Sequence, residues 1–539
     1  MTALSVIVLG IFLVALPLTV ILNRQKETQM LQQPTWLSES VPFVSNAWQF
    51  MTNKGRFIAR VREALKDKAI VQCRLGPTCI YIIAGGTNVS TIFRSSFTSE
   101  PWILSILEKS AGYTPTDMAH FYADNSGPTS IPRSEGIKSP KKRIWYESHR
   151  MHDETLIAAR PVSAFAASFQ KFFAEELDIF PVNEWVEDVR IFEFFKLQMS
   201  AAATRAILGP RIIDLNPGFI DAFWRYEKVP EILAFGLPPW LNRRAARIRD
   251  QFAAMCRKWY ELANREFDWE GPDRDADWEP VFGSQVSKGL AQWAKDFDFS
   301  AESIGGAFAL FLYGLHANAI PICTWLMFEL LKDPELFKAI KEEIRQAEMP
   351  KNNSGVYLDH QILISLPLLQ SVFTEVMRLH VGVLITRKAT ESVIIAGYTL
   401  PKGSIVLAPT EVAHFDEAVW GKPDHPASEF WAYRHVKEIE TFDNHGRPTR
   451  RLEFSISGKT GSFFPYGGGI SICAGRLFAN AEVLIAVSMV ISRFDIEFVE
   501  WIKGNGSPSE RSALDDAGYA NAVAAPPDRD IRVRWRRVR

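Results

Sequence analysis

A lone cysteine set between glycines and an apolar helix is the feature that most limits what this chain can become. Residues 463–479 read FFPYGGGISICAGRLFA. Gly467, Gly468 and Gly469 give up chain entropy for backbone freedom, and Gly475 follows the cysteine by two. Four readings of Cys473 compete. A buried free cysteine is the commonest fate of the residue, but it leaves the glycines unexplained. A nucleophile at a helix N-terminus needs a base, and ten histidines supply candidates. A phosphate loop fails, because no lysine follows the glycines. A metal-bound thiolate needs one exposed sulfur at the lip of a helix, with backbone able to lie flat against something large and planar.

The other four cysteines, Cys73, Cys79, Cys256 and Cys323, show no paired spacing. That excludes a disulfide framework or a zinc site and points to a reducing compartment. A net charge of −1 over 539 residues gives no reason to expect nucleic acid as a partner. The 37 Phe and 16 Trp imply a bulky aromatic interior with room for an apolar pocket. Ala3–Leu22 is a run of twenty residues without a charge, long enough to span a bilayer as a helix, and Arg24 and Lys26 follow it. The charge bias places the rest of the chain in the cytosol, anchored by a single span, in preference to a cleaved signal peptide. In that compartment the sequons at Asn88 and Asn352 stay unmodified.

The remaining pattern reads as residues 1–24 anchor, 25–40 polar linker and 41–539 one large domain. Helical periodicity dominates from Lys141 to about Cys256, and helices are expected at about 299–332, 334–347, 366–380 and 474–494. Short strands and turns are expected at Val71–Ile83 and Ser90–Phe93. Further strands are expected at Val393–Ile395, Tyr398–Leu400, Ile405–Ala408 and Asp530–Val538, with 415–462 irregular. The fold class is mainly α, with a smaller β-rich part.

The cysteine loop resembles that of the cytochrome P-450 superfamily, F-x-x-G-x-R-x-C-x-G. Cys473, Gly469, Gly475 and Ala479 match, while Tyr466 stands for the phenylalanine and Ser471 for the arginine. The resemblance implies heme b, with Cys473 as axial iron ligand. Because that arginine pairs with a heme propionate in the family, it also implies that this protein anchors the carboxylate otherwise. The family's E-x-x-R motif appears as Glu375-Val376-Met377-Arg378, a spacing that puts both side chains on one helix face. Arg434 is the candidate third partner of a structural ion-pair triad. Arg387 matches a propionate-binding arginine. Residues 141–151, KKRIWYESHRM, resemble the helix whose Trp and Arg touch the other propionate, here Trp145 and Arg150, with the spacing off by one.

The long helix departs from the family's oxygen-side motif. It reads Tyr313-Gly314-Leu315-His316-Ala317-Asn318, with histidine for the usual acid and alanine for the usual threonine. With Pro321 the segment resembles the branch holding sterol hydroxylases and prostacyclin synthase, where an Asn stands at 318. Two chemistries follow from that resemblance. One is a monooxygenase using O2 and electrons from an NADPH reductase, with Asn318, and with it His316, relaying protons. The other is an isomerase or dehydratase of a peroxide that needs no electrons. A heme-binding paralogue without turnover is the non-enzyme alternative. Against a catalytic role, His316 suits a core position and Asn318 suits backbone opened by Pro321. The implied setting is the endoplasmic reticulum membrane, with a lipophilic substrate (terpenoid, sterol or polyketide) of secondary metabolism. Lys141, Lys142, Arg143 and Lys402 are the basic residues for docking a reductase.

Overall fold

A computed structural model describes residues 33–539 apart from 95, 134–142, 236–239, 352–354, 443–446, 517–518 and 520–522. The anchor segment, Lys141, Lys142 and the Asn352 sequon lie outside the described residues. The helices that shape the site are α1 (Gly86–Ile92), α2 (Ile144–His152), α3 (Ala159–Asp178), α4 (Arg243–Glu266), α5 (Ala301–Lys332), α6 (Pro367–His380) and α7 (Arg476–Arg493). α5 is the axle of the molecule. It starts where Ser300 Oγ accepts the Ser303 N–H, and it packs against α4, α6 and α7. It is apolar and long enough to cross a membrane, yet it is largely buried in the core, as an interior helix of a large domain should be.

Two larger sheets and several two-stranded hairpins accompany the helices. The strands are β1 (Thr35–Trp36), β2 (Ile70–Leu75), β3 (Thr78–Ile83), β4 (Phe97–Thr98), β5 (Trp185–Arg190), β6 (Leu384–Ala389), β7 (Ile405–Pro409), β8 (Phe494–Lys503), β9 (Pro508–Ser509) and β10 (Arg529–Arg537). The larger sheet runs β1-β2-β3-β7-β6-β4 and the smaller β9-β8-β10-β5. β3 and β7 pair in parallel, Tyr81 opposite Val406, and β7 pairs in turn with β6, the strand that follows α6, which brings the N-terminal hairpin into the same sheet.

Helix positions follow the apolar periodicity closely, but three expectations change. Ser90–Phe93 is not strand: α1 occupies Gly86–Ile92, because Val89 and Ile92 are spaced to bury one helical face. The presumed linker contains β1, whose Thr35 and Trp36 pair with Val71 and Gln72. The irregular stretch 415–462 contains a hairpin, Val436–Phe442 against Pro448–Phe454. Its strands carry charges along their length, so the apolar alternation that marks a half-buried strand is missing.

The aromatic interior is organised around the helix behind the cysteine. Phe165, Phe169 and Phe173, spaced by four along α3, stack on one another, and Phe165 stacks on Phe478 of α7 with ring centres 4.5 Å apart. Such contacts contribute about 0.5–1.5 kcal/mol each beyond burial, and they set the start of α7 relative to the core.

Candidate heme-thiolate site

The cysteine loop closes one wall of a largely apolar void. Two adjoining cavities, of about 430 and about 480 Å³, share His152, Phe311, Ser471 and Ala474. That is the size range of small-molecule and cofactor sites. α5 contributes Phe311, Gly314, Leu315, Asn318, Ala319 and Ile322, which recur at helical spacing on one face. Phe373 and Met377 of α6, Ile385 and Arg387 of β6, and Val523 and Ala524 of the C-terminal loop line other sides.

Cys473 is exposed, but its accessible surface is the cavity wall, and protein surrounds the rest of the side chain. Its N–H donates to Tyr466 O at 3.0 Å, which folds the loop back on itself. Burial pushes the thiol up from its ordinary range, and the backbone N–H groups of Gly475 and Arg476 with the Arg476 charge offset this only in part. The neutral thiol therefore persists at pH 7 unless a metal cation displaces the proton.

The glycines divide by role. Gly467 and Gly475 line the cavity. Gly469, expected to lie against the cofactor, does not line it. It has φ +66°, and a Cβ there would sit 2.2 Å from the Phe93 carbonyl oxygen. At Gly468 a Cβ would meet the Phe93 ring at 2.6 Å. These two glycines are required by the close approach of the loop to the end of α1. Gly469→Ala is accordingly expected to lower stability by more than about 2 kcal/mol, seen as a lower urea midpoint. Gly475→Ala, whose φ is −74° and whose nearest neighbour is Cys473 Sγ at 3.9 Å, should change it by less than about 1 kcal/mol.

Arg387 carries the strongest sign of an anionic ligand. Its guanidinium is buried and lines the cavity. It reaches only carbonyl oxygens, of Thr386 at 3.0 Å and Gly468 at 3.5 Å, and has no carboxylate partner among the described residues. Burial pulls its pKa down to about 10, so it stays charged at neutral pH. A buried unpaired cation is costly. The carboxylate of a propionate-bearing porphyrin relieves that cost, and the inward-facing thiol and flat apolar walls suit the same group. The residues present therefore fit heme.

The ion-pair triad forms as a tight buried knot. Glu375 accepts from Arg378 Nε at 2.8 Å and Nη2 at 2.7 Å, and from Arg434 Nε at 2.7 Å. His435 Nε2 lies 3.0 Å from the second carboxylate oxygen, a partner with no signature in the sequence. The remaining guanidinium N–H groups donate to carbonyls of His414, Ala427, Trp420 and Pro426. Burial alone would raise the Glu375 pKa; the Arg378 and His435 hydrogen bonds and charges hold it at about 2.

Other expected site residues are placed differently. His316 points away from the cavity: Nε2 is 3.0 Å from Thr204 Oγ1, and the ring packs edge-on to Phe223. Two residues past Gly314 on a helix is a turn of about 200°, which puts His316 on the opposite face. Burial lowers its pKa to about 3, so it is a neutral core residue rather than a proton relay. Asn318 does line the cavity, but it does not serve the backbone opened by Pro321. Its Oδ1 accepts the N–H groups of Val523 at 3.1 Å and Ala524 at 3.0 Å, tying the C-terminal loop to α5.

On α2, Trp145 lines the cavity and donates to Phe121 O at 3.3 Å. Arg150 turns outward to Glu147 and Glu154, and His149 takes the inward place, one turn after Trp145. The Trp-x-x-x-His spacing was the available signal for it. Arg143, proposed for reductase docking, is buried, donating to Ser126, Ser130 and Gly127; Lys402 is exposed. Glu482 of α7 also lines the cavity, with neither carboxylate oxygen hydrogen-bonded among the described residues, and burial holds it well above the usual carboxylate range.

Comparison with known proteins agrees with this geometry. Residues 214–505 match the family model described as Cytochrome P450. The chain is 40% identical to the cytochrome P450 monooxygenase calL of Penicillium decumbens, over 92% of this chain and 91% of that one. It is 26% identical to the cytochrome P450 monooxygenase fsoE of Humicola fuscoatra, over 94% of this chain and 88% of that one. Among solved structures, retinoic acid-bound cyanobacterial CYP120A1 superposes with a TM-score of 0.63 at 16% identity, covering 94% of this chain and all of that one, a likeness of fold. A cavity built over an inward-facing cysteine, a buried Glu-Arg-Arg knot behind it and a near full-length match to fungal monooxygenases together establish that the chain belongs to the cytochrome P450 family.

Proposed function

We propose that the protein is a membrane-anchored, heme-dependent monooxygenase that takes electrons from an NADPH reductase and oxidises a lipophilic substrate, a terpenoid, sterol or polyketide, in secondary metabolism. The observation that carries the reading is the apolar cavity between α5 and Cys473, with Arg387 charged in its wall and without a carboxylate partner among the described residues. Heme bound there supplies the redox chemistry with O2 that no side chain provides. Cys473 would hold its iron, and Arg387 one of its carboxylates.

The chain's own residues do the rest. Phe311, Leu315, Ala319, Ile322 and Val523 exclude water and bind apolar carbon. With Ala317 buried in place of the usual threonine and Oδ1 of Asn318 occupied by two backbone N–H groups, Asn318 offers only amide N–H donors to the cavity. It orients a water or a substrate oxygen by donating, and it cannot take up a proton.

Membrane association is supported by exposed apolar side chains beside the chain's entry. Trp48 and Met51 on helix Ser45–Thr52 and Ile232 and Phe235 on helix Pro230–Phe235 are all exposed. Lys54, just past the first of these helices, lies close enough to Glu231 of the second to influence its carboxyl. With Ala3–Leu22 they suit a cytosolic face resting on the endoplasmic reticulum bilayer.

The full chain in membranes with an NADPH reductase is expected to convert at least one compound from a terpenoid, sterol and polyketide panel, with an oxygen atom from labelled O2 in the product. Product formed from a lipid peroxide without NADPH would identify an isomerase instead. Bound heme without any conversion would favour the non-enzymatic paralogue.

A further inference from the structure

Monooxygenation sets a requirement that the residues placed so far leave unmet. Reducing one atom of O2 to water, while the other enters a substrate C–H bond, takes two electrons and two protons. The electrons come from NADPH; the protons must enter a cavity whose walls exclude bulk water. His316 faces Thr204 and not the cavity, Ala317 has no proton to give, and Asn318 donates hydrogen bonds without releasing a proton. We propose that Glu482 is the acid that delivers protons to water in this cavity, and that the amide N–H of Asn318 holds that water. The inference rests on the monooxygenase reading above and goes beyond it by assigning the proton source.

The two helices place both groups on one void. Phe478, Ala479, Glu482 and Val483 line the cavity at helical spacing, so α7 turns Glu482 toward it. α5 presents Asn318, Ala319 and Ile322 to the same cavity. Of these seven side chains only Glu482 and Asn318 are polar. Glu482 is fully buried, and neither carboxyl oxygen has a hydrogen-bond partner among the described residues. A buried acid without a partner is destabilising, and water in the adjoining void satisfies it and the free Asn318 amide together.

No cation holds Glu482 ionised. Arg378 and Arg434 are spent on Glu375, and Arg387 reaches carbonyl oxygens of Thr386 and Gly468. Cys323 of α5 is its titratable neighbour, and burial keeps that thiol neutral. Burial holds the Glu482 carboxyl well above the usual carboxylate range, so the group carries its proton at neutral pH. In the transfer its O–H bond breaks as the proton passes to a cavity water. The carboxylate recovers a proton from the next water to enter, so no electron moves and the residue ends unchanged.

The test uses the full chain, heme-free and heme-loaded. An infrared difference spectrum of parent minus Glu482→Gln should show the C=O stretch of a carboxylic acid, moving to lower frequency in D2O. Glu482→Gln keeps the size and still binds water, but it has no proton to release. With NADPH, reductase and O2 it should form product at least about tenfold more slowly than the parent. Hydrogen peroxide brings the oxygen atom, the electrons and the protons together, so with peroxide in their place the gap should largely close. Glu482→Asp, which keeps the acid, should retain the C=O band and turn over faster than Glu482→Gln.

A carboxylate band in place of the acid band overturns the proposal, as does parent-rate turnover by Glu482→Gln. A defect of the same size with peroxide marks a structural role and also overturns it. Any of these in a parent chain that works leaves the monooxygenase reading standing. A heme-loaded parent that oxidises nothing with either oxidant overturns that reading and this assignment with it.

Discussion

Cys473→Ala should abolish the heme-thiolate absorption band of the reduced, carbon monoxide-treated protein, while the fold survives. The side chain lies in the cavity wall, its neighbours are the loop's own backbone, and it makes no contact that the core needs. The variant should therefore keep its helical circular dichroism, with a melting temperature within a few degrees of the heme-free parent. Heme content should fall at least about tenfold, because the thiolate ligand facing the cavity is gone. A variant that kept the parent's band would remove the site from Cys473 altogether. The raised thiol pKa adds a second readout on heme-free protein. Burial favours the protonated form, so alkylation by iodoacetamide should be slow at pH 7 and accelerate only above the ordinary value of 9.0. Loading with heme should protect the sulfur at every pH.

Glu375→Ala is expected to be the most destabilising single change in the catalytic domain, by about 3–5 kcal/mol. The carboxylate is fully buried between Arg378 and Arg434, and removing it strands two guanidinium charges in the interior. Against a total stability of about 5–15 kcal/mol, such a loss should sharply lower the accumulation of folded protein. Glu375→Gln keeps the shape and is the variant to measure. Its urea midpoint should be lower at pH 7, and the gap should narrow in acid. The sign follows from the depressed pKa, about 2 in the fold against 4.5 for a free glutamate. The ionised carboxylate therefore stabilises the fold fully above pH 4.5, and that contribution is lost as pH falls from there through about 2. Equal midpoints for parent and variant at pH 7 would show that the knot is dispensable.

The sequence made the site's chemistry readable wherever one short segment sets it. A cysteine flanked by glycines and followed by an apolar helix, with E-x-x-R about a hundred residues earlier, carries the family resemblance that implies the thiolate, and the E-x-x-R spacing itself puts Glu375 and Arg378 on one helical face. Long helices were equally legible, their apolar period surviving for many turns, as at Ala301–Lys332 and Arg476–Arg493. The charged hairpin at 436–454 was not, because its strands bury no continuous face.

What only the tertiary structure decided was which face of each element meets the cavity. His316 and Asn318 are two residues apart, yet the helical rotation between them sends one to Thr204 and the other to the cavity. The same rotation exchanges Arg150 for His149 on α2. Gly469 looked like a surface for a flat cofactor and is instead the space that Phe93 demands, a contact between residues more than 370 positions apart. Spacing within an element is written in the chain. The partner each face will meet depends on how distant segments pack, and no local pattern records that.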